Sequence, residues 1–355
     1  MVPHAEITII GLGAAGLILL KEILNDSEFQ NKKIFLIDSG ERQEKNWAYW
    51  AHSSNSFSHL SIKTWENIGF RGPALEEQNH FIKPYHYQLI SSKSIFDYMF
   101  NTVIPSHKNI KIIKGRVKNC QINSSGNHEI ILENGEKLSS TIIGDSRIDL
   151  NNGQGKIELK QHFYGKYIKI KEPKFNEKKA ILMDFNFPSI QNTVGFGYIL
   201  PFNSHEAFVE ITFFDENPLT EKEYNKIWDQ YWHINLNGQK YETSQVEMGC
   251  IPMSNRYFNQ EITNNYFKIG TAAGMVKNST GYAFTRMIED SKIIVKSKFS
   301  KRRILNESKL RFKIYDSILL NIIHKEPNRV KDVMNKLFRN NPGKRILKFL
   351  DEKTN

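Results

Sequence analysis

The sequence predicts an α/β protein: a Rossmann-like nucleotide-binding domain, interrupted by an antiparallel β-sheet domain and followed by a helical C-terminal region. Three observations predict it. A glycine loop, Ile10-Gly11-Leu12-Gly13-Ala14-Ala15-Gly16, follows an apolar run and precedes a helical pattern. A second loop of small residues lies between Lys268 and Phe284, roughly 250 residues later. Between them, alternating apolar and polar residues from about Gln161 to Phe214 mark a separate antiparallel sheet.

Glu6 to Ile10 is an apolar strand, Leu17 to Asn25 a helix, and Lys33 to Ile37 a second strand ending in Asp38. This βαβ opening carries G-x-G-x-x-G in its proper context, with an acid 22 residues past the third glycine. Gly11 permits the tight turn, Gly13 lets the backbone approach a pyrophosphate, and Gly16 allows close helix–strand packing. Ala14 and Ala15 open the helix whose N-terminus faces the phosphates, and Asp38 accepts hydrogen bonds from a ribose. Farther on, a helix is expected over Ser94–Val103 and a strand over Ile110–Gly115. Glu129–Leu132, Asn134-Gly135 and Lys137 onward spell a hairpin. Thr141–Gly144 is a buried strand leading to Asp145. Tyr266 to Gly270 returns to the nucleotide domain, where Gly270, Thr271, Gly274 and Gly281 let the backbone come close to a flat or anionic ligand. Ser279-Thr280-Gly281-Tyr282 is expected to open a helix, and helices continue from about Ala283 to the end.

The 355 residues, 39% hydrophobic and 25% charged, suffice for a sizeable core and two closely connected domains. Cys120 and Cys250 stand in unrelated contexts, so neither a disulfide framework nor a zinc spacing exists. The eleven histidines show no H-x-x-x-H or HExxH pattern, and no metal site is expected. No signal peptide and no window of about 18 apolar residues is found. The net charge of +11 is regional: residues 277–355 alone carry 20 Lys and Arg against 8 Asp and Glu. No nucleic-acid-binding signature accompanies this basic region. Phe312, Tyr315, Leu319 and Ile322-Ile323 recur at helical spacing among basic residues, a stripe suited either to a core or to an anionic membrane surface.

Several separate segments, in order, resemble the flavoprotein lycopene cyclases of carotenoid biosynthesis. They are IIGLGAAGL, Asn46-Trp47-Ala48-Tyr49-Trp50, PYHYQLI, the Gln161–Phe185 block with Gln161 and Gly165, GYILPFNSHEAFVEITFFD, MGCIPM, IGTAAGMVKNSTGYAF and NKLFRNNPGKRILKFLDE. The resemblance covers nearly the whole chain. It implies a discontinuous FAD-binding domain (residues 1–75, 105–155 and 260–300), a substrate domain (76–104 and 156–259) and a helical region (301–355) that associates with the membrane. Asp145 joins the two glycine loops among the residues it places at the cofactor. Two departures stand out: Glu210-Ile211-Thr212 replaces the family's Glu-Asp-Thr, and Lys166 replaces a Trp beside Gly165. A hydrophobic Ile211 is expected to desolvate Glu210.

The resemblance further implies acid-catalysed, non-redox ring closure at the acyclic ends of lycopene, an isomerase (intramolecular lyase) reaction. Reduced FAD would be the anionic partner of the cation and NAD(P)H the separate reductant. A terminal alkene must be protonated, the tertiary cation attacked by a neighbouring double bond, and a proton lost to leave the β-ring. Such a site needs a protonated acid in an apolar pocket, a negative charge or π-face beside the cation, and a base. Glu210, between Phe208-Val209 and Ile211, is the acid the resemblance selects, although strand alternation alone also permits an outward-facing residue. Trp47, Tyr49 and Trp50 supply aromatic faces, and Asp184 is either a helper carboxylate or a surface acid. A C40 hydrocarbon substrate places the protein peripherally on the cytoplasmic face of the membrane. The competing expectations are a related FAD/NAD(P)H-dependent prenyl reductase or hydroxylase, and a carotenoid- or nucleotide-binding protein without activity.

Overall fold

Runs of β-branched and aromatic residues flanked by glycine turns become strands, and those buried on both faces lie at sheet centres. A computed structural model of the chain describes residues 2–41, 44–72, 76–148, 157–256, 258, 260–263, 265–299 and 310–354. It opens with β1 (His4–Ile10), α1 (Ala14–Leu24) and β2 (Ile34–Asp38). β3 (Asn46–Ala51), β4 (Lys63–Trp65), β5 (Asn67–Arg71), β6 (Glu77–Phe81) and β7 (His86–Ser91) lead to α2 (Ser92–Tyr98), which continues as a π-helical turn over Met99–Val103. Then come β8 (Ile110–Lys114), β9 (Val117–Ile122), β10 (His128–Leu132) and β11 (Lys137–Asp145). The next stretch holds β12 (Glu158–Ile170), β13 (Lys179–Asp184), β14 (Val194–Pro201), β15 (Glu206–Asp215), α3 (Glu221–Leu236) and β16 (Tyr241–Ser254). β17 (Glu261–Thr263), β18 (Tyr266–Lys268), α4 (Phe284–Lys296), α5 (Leu310–Lys325), α6 (Pro327–Asn340) and α7 (Gly343–Leu350) complete the described chain.

The first sheet has the order β17-β18-β11-β1-β2-β8, with β9 and β10 branching from β11. β18, β11, β1, β2 and β8 run parallel, so the carboxyl ends of β1, β2, β11 and β18 open on one edge. That edge is where open α/β sheets receive ligands. β10 and β11 form the expected hairpin. The second sheet, β16-β12-β15-β14-β13-β5-β6, is built on the long antiparallel ladder of β12 with β15 and β16. A third sheet, β3-β7-β4, lies between the two, its strands drawn from the aromatic segments around Trp50 and Tyr87.

Three expectations change. β5 pairs with β13 and β6, so a boundary at residue 75 separates β5 from its partners in the second sheet. Separating residues 301–355 as a region of their own also divides a core, because Leu320, Ile323, Val330, Met334, Phe338, Ile346 and Leu347 are buried with Phe70, Ile82, Phe196 and Phe208 of the sheets. Finally, Lys277 to Tyr282 is a closed turn rather than a helix start: Gly281 N–H donates to Lys277 O at 2.9 Å, Lys277 N–H to Tyr282 O at 2.9 Å, and α4 begins only at Phe284. The other face of the second sheet is covered by α3, whose Thr220–Glu223 capping box fixes its start and whose Tyr224, Trp228 and Tyr231 pack on Val209, Ile211 and Phe213.

Candidate active site

The two glycine loops meet. Gly11 holds φ +84° and lies against Ser146, just beyond β11. A Cβ on Gly16 would stand 2.0 Å from Gly11 O, so only glycine lets α1 pack on the turn. Gly13, by contrast, faces open space and, as the N-cap residue of α1, has no side chain to occupy the helix's first N–H groups. Gly270, at φ +63°, sits so near Ala15 that a Cβ there would approach Ala15 Cβ to 2.4 Å. Gly281 (φ +74°) is crowded by Gln161 Oε1, and Gly274 (φ +75°) by the Phe258 ring. At the end of β2, Asp38 Oδ2 accepts Leu12 N–H at 2.7 Å and Oδ1 accepts Gly40 N–H at 2.8 Å. Each oxygen retains a lone pair for a hydroxyl.

Asp145 is placed differently from the expectation. Its carboxylate is fully buried and held by Arg147, Tyr266 Oη at 2.8 Å and Lys268 Nζ at 3.0 Å. Burial opposes its charge, but Arg147 and Lys268 outweigh that and hold it below the usual carboxylate range. It ties the ends of β11 and β18 together and has no free face toward the loops.

A cavity of about 690 Å³ runs from these loops into the second sheet. Ala14, Thr271 and Gly281 line one end; Trp47, Trp50 and Tyr87 form a wall; Leu319, Ile322, Met334 and Leu337 of α5 and α6 form the far end. Its floor is one face of the second sheet, where Phe208, Glu210, Thr212 and Phe214 alternate inward along β15. Glu210 therefore points into the cavity. Burial is the main force raising its carboxyl to about 8; the Thr212 hydroxyl, donating at 2.5 Å, opposes this, and Glu247 adds to it. The group is thus a neutral acid at pH 7.

Ile211 does not desolvate Glu210. It points to the opposite face, fully buried against α3. Lys166 also lies on that face, 4.7 Å over the Trp228 ring. Asp184 is neither in the cavity nor at the surface: it is fully buried, bonded to Arg71 at 2.9 Å and Tyr231 Oη at 3.0 Å. Of the aromatic trio, Trp47 and Trp50 line the cavity, while Tyr49 stacks on Phe284 with centroids 4.5 Å apart.

The structure adds residues that sequence reasoning missed. Tyr87 hydrogen-bonds Tyr198 and, at 3.0 Å, Tyr282, gathering three phenols from separate elements beside Glu210. Glu247 of β16 also lines the cavity, its carboxylate bonded by Asn46. Lys277 is buried between Asp316 (3.0 Å) and Glu352 (2.9 Å), clamping α5 and the C-terminal residues onto the second loop. Glu247 immediately precedes the MGCIPM segment, but one acid in a strand gave no local signal.

A dinucleotide fits these residues. Gly13 leaves a clear approach to the N-terminus of α1, and Gln161 Oε1 and Thr280 Oγ1, at the second loop, are buried with no protein partner among the described residues. In overall shape the chain is similar to a geranylgeranyl bacteriochlorophyll reductase-like protein from Thermoplasma acidophilum (13% identity, 96% of this chain and 91% of that one, TM-score 0.65). It is similar also to p-nitrophenol 4-monooxygenase from Pseudomonas putida (11% identity, 99% of each chain, TM-score 0.69). A halogenase solved in complex with FAD shares the fold as well (11% identity, 92% of this chain and 75% of that one, TM-score 0.56). These likenesses show that the chain shares the α/β fold of these three proteins. No curated protein matches the sequence. The family described as lycopene cyclase protein matches residues 6–355, and the chain belongs to that family.

Proposed function

We propose that the protein is a lycopene β-cyclase that closes the acyclic ends of lycopene without net redox change, giving γ- and β-carotene. The observation that carries this reading is Glu210, a carboxylic acid kept protonated by burial in an apolar cavity continuous with the glycine loops. Its proton adds to the terminal alkene; the neighbouring double bond closes the ring; a proton leaves. Phe208, Phe214, Trp47 and Trp50 exclude water that would otherwise trap the cation. Tyr87, Tyr198 and Tyr282 present aromatic faces beside it, and cation–π contact contributes about 0.5–2 kcal/mol per ring.

FAD would be held by Gly13, the N-terminus of α1 and Asp38 on one side and by Thr271, Thr280 and Gly281 on the other. Reduced by NAD(P)H, it would supply an electron-rich, anionic surface that favours the cation. No residue of this chain needs to exchange electrons with the substrate.

We also propose that the protein works on the cytoplasmic face of an anionic membrane. Among the described residues no helix is long and apolar enough to cross one. Of the stripe suited either to a core or to lipid, Phe312 and Ile323 are buried and Tyr315 is exposed. Leu310, Ile314 and Ile318 of α5 are exposed beside Tyr315, and Tyr315 and Ile318 also line the cavity. Tyr315 and Ile318 thus join the exposed ridge to the cavity that Glu210 lines, the kind of route a bilayer-dissolved hydrocarbon requires.

Expression in a bacterium that accumulates lycopene tests the reading. Yellow-orange products isomeric with lycopene are expected, with Glu210→Gln leaving the cells red while retaining flavin. Stoichiometric NAD(P)H consumption with a mass change would instead identify a reductase or hydroxylase, and unchanged pigment over folded, flavin-loaded protein would refute the proposal.

A further inference from the structure

Glu210 and Glu247 sit opposite the same residue. Gly165 of β12 pairs with Glu210 on β15 and with Glu247 on β16, and Tyr198 on β14 extends the row beyond Glu210. Directly paired residues project from one face of a sheet, so both carboxyl groups rise from the cavity floor with a glycine between them. At about 4.8 Å per strand their backbones are roughly 10 Å apart.

Their surroundings differ. Among the described residues, Glu210 receives a hydrogen bond from the Thr212 hydroxyl and is otherwise set among Phe208, Phe214 and the cavity. Glu247 receives two from Asn46: the backbone N–H donates to Oε1 at 3.0 Å and the side-chain amide to Oε2. The Tyr167 hydroxyl donates to Asn46 Oδ1 at 2.8 Å, which turns the amide's N–H₂ toward Glu247. Two donors stabilise the ionised form.

We infer that Glu247 is the proton acceptor opposite Glu210, and that the pair carries one proton through the reaction cycle. This rests on the cyclase reading. Glu210 O–H breaks as a C–H bond forms at the terminal alkene. The ring then closes, and a C–H bond of the ring breaks, its electron pair forming the ring double bond and its proton passing to Glu247. The substrate neither gains nor loses atoms or electrons, and return of the proton from Glu247 to Glu210 resets the pair. The position of the acceptor decides which ring proton is lost, so Glu247 sets the ring type.

Electrostatics agree with this division. Burial holds Glu247 above its ordinary value too, but the Asn46 bonds and the charge of Lys45 oppose it there, whereas among the described residues Thr212 alone opposes burial at Glu210. Tyr198 faces both carboxyl groups, Tyr282 faces Glu210, and Tyr167, itself near Glu44, faces Glu247; burial holds all three phenols neutral.

The test uses the flavin-loaded full chain. Infrared titration without substrate is expected to show one protonated carboxyl at neutral pH, absent in Glu210→Gln. In Glu247→Gln it should persist with a lowered midpoint, because the neighbouring negative charge is gone. An unchanged midpoint overturns the coupling whatever the substrate is. With lycopene in liposomes, Glu247→Gln is expected to close rings at least about 100-fold more slowly and with mixed ring types, the scale of a lost general base. Glu247→Asp should restore β-rings. Wild-type rate and ring type in Glu247→Gln would overturn the acceptor role. If the wild-type protein shows the infrared coupling yet leaves lycopene unchanged, the cyclase reading fails and the acceptor role with it, while the shared-proton pair stands.

Discussion

Gly270 and Ala15 touch: a Cβ on Gly270 would come within 2.4 Å of the Ala15 Cβ, so the loop after β18 is seated directly on the first turn of α1. Both halves of the proposed nucleotide site are therefore set by one contact between distant parts of the chain. Any residue larger than glycine at Gly270 must part them, and its φ of +63° disfavours a side chain independently. Gly270→Val is expected to lose flavin, read by absorbance of the purified protein.

Gly13 and Gly16 should behave oppositely although they share a loop. Gly13→Ala places its Cβ in open space, so melting temperature should stay within a few degrees of wild type while flavin affinity falls at least tenfold. Gly16→Ala drives a Cβ against Gly11 O and should destabilise the fold itself. Calorimetry combined with flavin titration separates the two effects.

The Glu210 carboxyl, raised to about 8, predicts the sign of two pH effects. The native state keeps a proton that the unfolded chain loses near the ordinary Glu value of about 4.3. Its contribution to stability is therefore full below that value and is lost as pH rises through about 8. Cyclisation should decline over the same alkaline limb as the acid ionises. Denaturant melts across this range should show a flatter pH dependence in Glu210→Gln than in wild type.

Lys277 holds Asp316 and Glu352 together in a buried cluster, with Ser279 Oγ donating to Asp316 at 2.6 Å and Arg286 reaching Glu352 at 2.9 Å. Lys277→Met leaves two carboxylates facing each other without their shared cation. A loss of about 3–5 kcal/mol is expected, the scale for breaking a buried pair by removing one partner. Urea denaturation measures it, and limited proteolysis should cut α5 first.

Ile314→Asp with Ile318→Asp places two charges on the exposed ridge of α5 without touching the core. The double variant should fold normally and fail to sediment with anionic liposomes. Added salt should release the wild-type protein if the basic C-terminal residues contribute, since exposed charges are screened within about 10 Å at 0.1 M.

The nucleotide half was legible because its information is local. Gly11, Gly13 and Gly16 are needed within one turn, and the strand and helix flanking them carry their own periodicities, so β1, α1, β2 and the β10–β11 hairpin could be placed from neighbouring residues alone. Glu210 was found through the blocks around it; its inward orientation was not legible, because alternation allows either face until the sheet is packed. The cavity face of β15 is set by α3 burying Val209, Ile211 and Phe213 on the other side.

By itself, then, the sequence determined the βαβ opening, the strand that carries the acid and the return of the chain to the nucleotide layer. Tertiary structure decided the rest of the site. It set Glu247 across Gly165 from Glu210, brought Tyr87, Tyr198 and Tyr282 together, buried Asp145 and Asp184 as anchors, and packed α5 to α7 onto the second sheet. These are matters of register and layer contact between remote segments, fixed by burial over the whole molecule rather than by any residue's neighbours in sequence.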